Sequence, residues 1–412
     1  MMGAHCGGTT MTSRSPSTSV RPARGASKRQ VLGCATWRAA LLGLLVLGAC
    51  DHHGGSGQRV LNLPHCQGNA FLTVPPIPPA ALSGIVPLGN LLPSGHTFPT
   101  DHLYLYLPVV SGPRPLYPLL APGTGWITEI GSTQKEGQAA PDYQITFSPC
   151  AELEFDVAHV VSLEPSLASA LSRPDFCSQY STGGGTVSQC WAYVALPVSA
   201  GQTLGAASGF DFGAYDSRVA GPVANPARET FSTHWRHTVC PLDYFDDADK
   251  AAYYALLGTF NGSALRTVPP LCGTVYQDVA GTAQGLWFNP ASPESPEDPH
   301  LALVHDNVNP ALGVISSGTS IPGMVDWAYP FTPTSSGFVN RDFDQVTPGP
   351  NIYCYDGFQT GGAPGVGVGI VLVSMPNATT LQIERQGGGT SGDCGNGGLP
   401  LAFTASAATF LR

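Results

Sequence analysis

The chain has 412 residues, of which 18 are Lys or Arg and 28 are Asp or Glu, so its formal net charge is −10 at neutral pH. Six of the basic residues and none of the acidic ones lie within residues 1–50, which leaves twelve basic against 28 acidic residues and a formal charge of about −16 in the remainder. This balance excludes nucleic acid as a partner, because phosphate binding requires a basic surface.

Residues 1–50 have the composition of an export signal. Basic residues precede the apolar stretch AALLGLLVLGAC, which is too short to serve as a permanent membrane-spanning helix. Its end, LGAC, resembles the lipobox of bacterial lipoproteins, in which cleavage leaves the cysteine as a lipidated N-terminus. We therefore expect a cell-envelope lipoprotein anchored to a membrane through Cys50, with an ordinary secretory signal as the alternative. Residues 51–60, DHHGGSGQRV, have the composition of a flexible tether.

Short runs of alternating apolar and polar residues follow the tether. The first is GHTFPTDHLYLYLP at residues 95–108, a polar turn that leads into a strand. Similar runs are GWITEI, YQITFS, WAYVALPV, GVGIVLVSM and TLQIER, separated by segments rich in Gly and Pro. One short helix is predicted in DDADKAAYYALLGTFNG, which has acidic residues in its first turn and Gly258 near its end. The pattern as a whole predicts a mainly β fold.

Two domains are expected, because roughly 360 residues after the leader exceed what one core usually holds. The segment RVAGPVANPARETFSTHWRH lies between a strand-rich block and the predicted helix. We place the first domain at residues 61–220 and a second β-rich domain, of unassigned role, at residues 221–412.

The cysteine count predicts disulfides. Of eleven cysteines, Cys6 and Cys34 lie in the leader and Cys50 would carry the lipid, which leaves an even set of eight in an exported chain. No two of them have the CxxC spacing of a thiolate zinc site. Eight cysteines allow 105 connectivities, among which the nearest-neighbour pairings are plausible: Cys177 with Cys190, Cys240 with Cys272, and Cys354 with Cys394.

Four segments of the first domain occur in an order that resembles the lysostaphin-like and LytM-like zinc peptidases of family M23. Those proteins have a roll of antiparallel β-sheet that contains the motifs A-x-x-G-x-V, Y-x-H-L, V-x-x-G-Q-x-x-G and H-x-H-F. The corresponding segments here follow the GHTFPTDHLYLYLP run and are APGTGWI (121–127), AHV (158–160), VSAGQTLG (198–205) and GFDF (209–212). The resemblance covers about 160 residues and implies an M23-like β-roll.

The resemblance implies a set of metal ligands in which His and Asp occupy each other's positions relative to the family. The family has His and Asp ligands four residues apart in its first motif, whereas this chain has His96 and His102 six residues apart, with Asp101 beside the second. In the last motif Asp211 stands at the position of the third ligand, a histidine in the family. A His/His/Asp set with His96, His102 and Asp211 suits Zn²⁺, although Asp101 competes with His102 for the ligand position.

His159 matches the catalytic histidine of the Y-x-H-L motif, where it could act as a general base or stabilise an oxyanion. The first histidine of H-x-H is missing, because Gly209 occupies its position. Each candidate also has a structural interpretation: Asp101 and His102 in a turn before a strand, Asp211 bonded to backbone amides, and His159 as a satisfied core histidine.

The function that follows from the resemblance is zinc-dependent hydrolysis of peptidoglycan peptide bonds in the cell envelope. The alternative is a non-catalytic envelope protein that uses the roll as a scaffold to bind glycan, peptide or a partner protein. The missing histidine at Gly209 favours that alternative. The motifs leave open the bond that is cut and the role of the second domain.

Overall fold

The structure is a computed structural model and describes residues 62–93, 95–109, 111, 114–182, 185–228, 234–359, 369–387, 394 and 401–412. The predicted leader, the lipidation site at Cys50 and the tether lie outside the described residues. The fold is mainly β, with 41% of residues in strands and 9% in helical segments, and several antiparallel sheets. The fold class predicted from the alternating runs is confirmed.

The first sheet has nine antiparallel strands in the order β1-β2-β9-β6-β5-β4-β8-β7, with β3 paired to β9. Its long strands come from the alternating runs, and their inward residues form a core of aliphatic and aromatic side chains. The strands are β1 (Gly84–Val86), β2 (His102–Tyr106), β3 (Tyr117–Leu120), β4 (Gly125–Lys135), β5 (Asp142–Cys150), β6 (Leu153–Leu163), β7 (Phe176–Thr182), β8 (Gly185–Val198) and β9 (Thr203–Asp216).

Two four-stranded antiparallel sheets follow in the chain. The second sheet runs in order through β10 (Gly285–Trp287), β11 (Leu301–His305), β12 (Gly313–Ser317) and β13 (Trp327–Phe331). The third runs in order through β14 (Tyr353–Tyr355), β15 (Ile370–Asn377), β16 (Thr380–Gln386) and β17 (Ala408–Leu411). These two sheets share one buried core, which includes Trp287, Tyr329 and Phe410.

The core of the first sheet extends beyond the boundary predicted at residue 220. Leu242, Phe245, Tyr253 and Leu257 are buried in it together with side chains from the nine strands. The described residues from 62 onward belong to a single compact unit. The segment after residue 220 therefore completes the first core before the chain enters the second sheet.

The predicted short helix is α2 (Asp247–Tyr254), which follows the one-turn helix α1 (Pro165–Ala170). The side chain of Asp246 caps its first turn by accepting hydrogen bonds from the backbone N–H groups of Ala248 and Asp249. The helix ends before Gly258, because the chain turns back to the first sheet. There the Leu256 carbonyl accepts from the backbone N–H of Ile85.

Four disulfides join the eight cysteines. The three nearest-neighbour pairs, Cys177–Cys190, Cys240–Cys272 and Cys354–Cys394, are present, and the fourth bridge is Cys66–Cys150. Such a set indicates an oxidising environment outside the cytosol. Among the described residues, no helix has the length and apolar character needed to cross a bilayer.

Removing the Cys240–Cys272 bridge by a double Cys→Ser substitution should lower the free energy of unfolding by about 2–4 kcal/mol. The bridge closes a span of 32 residues and attaches it to the first core through the buried Cys272. Chemical denaturation monitored by circular dichroism measures this loss.

The matched control is the same double substitution at Cys177 and Cys190. The disulfide between these two residues closes a span of only 13 residues between the neighbouring strands β7 and β8. Its loss should be smaller by about 1 kcal/mol, since the entropy of loop closure grows with span length. An equal or larger loss in the control would contradict the stabilising role assigned to the longer bridge.

Candidate active site

Pairing of β2 with β9 brings His102 next to Asp211. In this antiparallel pair Tyr104 lies opposite Asp211 and His102 lies opposite Gly213. Residues two apart on a strand point to the same face, so His102 and Asp211 share one face of the sheet. Nε2 of His102 is 3.3 Å from Oδ2 of Asp211.

Asp101 fixes the orientation of the His102 ring. Its Oδ1 lies 3.0 Å from Nδ1 of His102, and the opposite ring nitrogen, Nε2, is buried and has no hydrogen-bond partner. His102 and not Asp101 therefore faces Asp211. Asp101, also one of the predicted ligands, has its Oδ1 at the other ring nitrogen, Nδ1, where it can orient the imidazole.

A β-bulge in β6 positions His159. Ala158 pairs with Asp211 and Val160 pairs with Ala207, so the register shifts at the residue between them. His159 has a φ of 61°, in the left-handed region that few non-glycine residues occupy. A bulge of this kind redirects a side chain, and the side chain of His159 is 58% exposed.

His159 joins two carboxylates. Its Nδ1 lies 2.5 Å from Oδ2 of Asp142, at the start of β5, and its Nε2 lies 3.1 Å from Oδ2 of Asp211. Together with Asp101 and His102 these groups alternate as Asp101, His102, Asp211, His159 and Asp142, which we call the His–Asp chain. Both imidazoles direct Nε2 toward the same oxygen and have a carboxylate at Nδ1.

The two imidazoles of the His–Asp chain differ in environment. The hydrogen bond to Asp142, which has the larger effect, and the hydrogen bond to Asp211 together raise the pKa of His159 to about 10. Burial lowers the pKa of His102, but the hydrogen bond to Asp101 and the negative charges of Asp211 and Asp101 outweigh burial, and the net shift is upward. Both rings are therefore stabilised as imidazolium while no cation is bound.

His96 lies beside the His–Asp chain but is not part of it. Its ring centroid is 5.4 Å from that of His102, in an edge-on arrangement. Burial, followed by the charge of His102, lowers the pKa of His96 to about 4. His96 is thus neutral at pH 7, which is the form of imidazole that binds a metal ion.

Two of the predicted metal ligands, His102 and Asp211, lie close together, but the complete predicted set does not. Within the described part of the chain, one group of three potential ligand atoms lies within 4.8 Å of one another, and it consists of Cys66, Cys150 and Glu152. Its two sulfurs form a disulfide, so they are not ligands. His102 and Asp211 lie close enough to bind one ion as two ligands, whereas His96, His102 and Asp211 do not all lie within 4.8 Å of one another.

The His–Asp chain opens into a cleft of about 660 Å³. His159, Asp211 and Asp142 line it, together with Tyr106 and Arg114. Gly209 also lies on its wall, with a φ of +108°, and a Cβ there would be 2.9 Å from the Leu105 carbonyl oxygen. A histidine at this position, as in the H-x-H motif, would therefore strain the backbone.

Sequence reasoning did not find Asp142 or Tyr215. Asp142 contacts His159 only because of the bulge, which no residue near it in the sequence indicates. Tyr215 is buried and hydrogen-bonds to Asp101, and its ring stacks on that of His234 at 4.9 Å. The alternating pattern of β9 could have placed Tyr215 on the same face as Asp211, four residues earlier.

No protein-family model, curated protein or solved structure matches this chain. The resemblance to family M23 therefore depends on the motifs of the sequence alone.

Replacing Asp142 with Asn in metal-free protein should lower the pKa of His159 toward its ordinary value, because the substitution removes the carboxylate that stabilises the imidazolium most. The folded pKa, near 10, lies above the unfolded value of about 6.5. The stabilisation is therefore complete below pH 6.5 and is lost as the pH rises through about 10. NMR titration of the His159 ring protons measures the shift.

The control for this titration is His305, whose Nε2 pairs with Asp342 at a distance of 3.1 Å in the second half of the chain. Its titration should not change in the Asp142→Asn variant. A His159 ring that titrates near pH 6.5 in the unsubstituted protein would show that the ion pairs of the His–Asp chain do not form.

Proposed function

We propose that this protein is a zinc-dependent hydrolase of the bacterial cell envelope that cleaves peptide bonds, with the His–Asp chain at its centre. The observation that carries the proposal is His102. Its Nδ1 is held by Asp101, and its Nε2 is buried, makes no hydrogen bond and lies 3.3 Å from Oδ2 of Asp211. A carboxylate behind an imidazole, with the other nitrogen left for a metal, is a frequent arrangement in zinc proteins.

The ligand chemistry also supports zinc. An imidazole nitrogen and a carboxylate oxygen that bind one tetrahedral ion at about 2.0–2.1 Å lie roughly 3.3 Å apart, as His102 and Asp211 do. His96, neutral and beside His102, would supply the third ligand. When bound, zinc lowers the pKa of a water molecule and polarises a carbonyl group.

His159 has the properties of the catalytic side chain in this proposal. It is exposed to the cleft, and its two carboxylate partners keep it protonated at neutral pH. Its Nε2 lies 3.1 Å from Asp211 in the metal-free protein, and that N–H would become free for the substrate when Asp211 binds zinc. An imidazolium next to the reacting carbonyl donates a hydrogen bond to the oxygen that becomes negative and can pass a proton to the leaving amine. Asp142 holds the ring in place through Nδ1.

The substrate class follows from the predicted location and from the resemblance to family M23. The four disulfides fit an exported protein, and peptidoglycan is the peptide-containing polymer of the bacterial envelope. The cleft that ends at Asp211 has room for a peptide segment, and Arg114 adds a cationic group that would suit a substrate carboxylate.

A second candidate is a non-catalytic binding protein that retains the roll as a scaffold. The observation that favours it is the incomplete ligand set, since His96, His102 and Asp211 do not all lie within ligand distance of one another. If the protein has this function, the His–Asp chain is an ion-pair network that stabilises the lining of the cleft.

Measuring metal content and activity in the same variants distinguishes the ligand role of His96 from the catalytic role of His159. The His96→Ala and Asp211→Asn variants should lose zinc, with affinity reduced roughly 10–100-fold or more, because each loses a direct ligand. His159→Ala should keep zinc but cleave muropeptides about 10²–10⁴-fold more slowly, because it loses the proton donor. Inductively coupled plasma mass spectrometry and chelator competition measure zinc.

His305→Ala is the control, since His305 pairs with Asp342 at 3.1 Å and lies outside the His–Asp chain. It should keep both zinc and activity. Protein without stoichiometric zinc would exclude the hydrolase, and bound zinc without muropeptide cleavage would support the binding protein. Loss of zinc from His159→Ala would make His159 a ligand and contradict its catalytic role.

A further inference from the structure

The segment that precedes His102 is held by residues from the second half of the chain. Phe98 is completely buried in a cluster with Trp235, Phe288 and Val304. Its ring centroid lies 5.1 Å from that of Phe288 and 5.5 Å from that of His300, on which it stacks with an interplanar angle of 7°. Phe98 therefore inserts into a pocket formed by residues 137 to 206 positions later in the sequence.

The backbone of three consecutive residues is fixed at the same place. The Ser316 hydroxyl donates to the Thr97 carbonyl at 2.6 Å, and the Trp235 indole N–H donates to the Pro99 carbonyl at 3.2 Å. Between them, the Phe98 N–H donates to Oε2 of Glu297 at 2.8 Å. These side chains meet the hydrogen-bonding needs of a buried segment that belongs to no strand or helix.

The second sheet contributes to this contact through one of its faces. Ser316 of β12 pairs with Ala302 of β11, and Ala302 pairs with Leu286 of β10, so the three residues share a face. Residues on the other face, such as Leu303 and Ile315, pack in the core shared with the third sheet. The face with Ser316 covers the segment before His102.

We propose that the second sheet is a positioning element for the candidate active site. Through Ser316 and the pocket around Phe98, together with Glu297 in the connection between β10 and β11, it fixes residues 97–99. It thereby sets the direction in which Asp101 and His102 approach Asp211. Ser316, Glu297 and Phe98 are positioning residues, since none of them touches the His–Asp chain. The expected effect on zinc rests on the proposed function, whereas the effect on the Asp101–His102 contact does not.

Two pairs of matched variants test this role in the full chain. Ser316→Ala removes the bond to Thr97, and Ser317→Ala removes an equally buried hydroxyl from the same strand, whose bond goes to the neighbouring Gly318 carbonyl. Phe98→Leu is matched by Phe331→Leu, a fully buried ring in the other core. The members of each pair should unfold at similar temperatures, so that stability does not separate them.

Three measurements report on the segment. In metal-free protein, hydrogen exchange of residues 96–106 should be roughly threefold or more faster in Ser316→Ala and Phe98→Leu than in their controls. The downfield NMR signal of the His102 Nδ1 proton, which bonds to Asp101, should weaken in the same two variants. The dissociation constant for zinc alone should rise roughly tenfold, as for loss of other groups that orient a ligand.

Unchanged exchange of the segment in both variants would overturn the proposal. Faster exchange with an unchanged His102 signal and unchanged zinc affinity would also overturn it, because the segment would then move without disturbing the site. If the unsubstituted protein binds no zinc, the proposed hydrolase fails, and the His102 signal decides the positioning role. A His102 Nδ1 proton signal that weakens in Ser316→Ala but not in Ser317→Ala supports the positioning role. A signal that is unchanged in both variants contradicts it.

Discussion

Burial of Phe98 against the second sheet is the contact on which the candidate site depends. His102 begins β2 directly after the irregular segment that contains Phe98, so the position of that ring sets where the strand starts. The register of β2 with β9 then places His102 on the face that carries Asp211. A site on the first sheet is thereby coupled to a core whose other members, from Trp235 to Val304, lie more than 130 residues further along the chain.

Charge balance explains why the His–Asp chain alternates. Asp101, Asp211 and Asp142 lie around two imidazoles, and His159 offsets part of their charge because its pKa is raised to about 10. Carboxylates that are close together in a poorly solvated place need such compensation. A bound divalent cation would supply the same compensation and release a proton from His102, so that metal binding and protonation compete at this site.

The sequence predicted the mainly β class, several of the strands, the helix and three disulfide pairs because each depends on a local pattern. These patterns are period-two alternation, acidic residues in the first turn of a helix, and neighbouring cysteines. The approach of His102, Asp211 and His159 followed from reading four motifs as one set. Other features depend on contacts that no local pattern encodes. The bulge that turns His159 toward Asp142 is a register shift, and the Ser316–Thr97 bond joins residues 219 positions apart. For the same reason the sequence could not distinguish Asp101 from His102 as the group that faces Asp211.

The most direct test of the account is an anomalous diffraction map from crystals grown with zinc, recorded on both sides of the zinc absorption edge. The account predicts a peak within about 2.3 Å of both Nε2 of His102 and Oδ2 of Asp211. Asp101 should still lie at Nδ1 of His102, as it does without the metal. A map with zinc only at exposed groups such as His65 and Glu152, and none between His102 and Asp211, would contradict it.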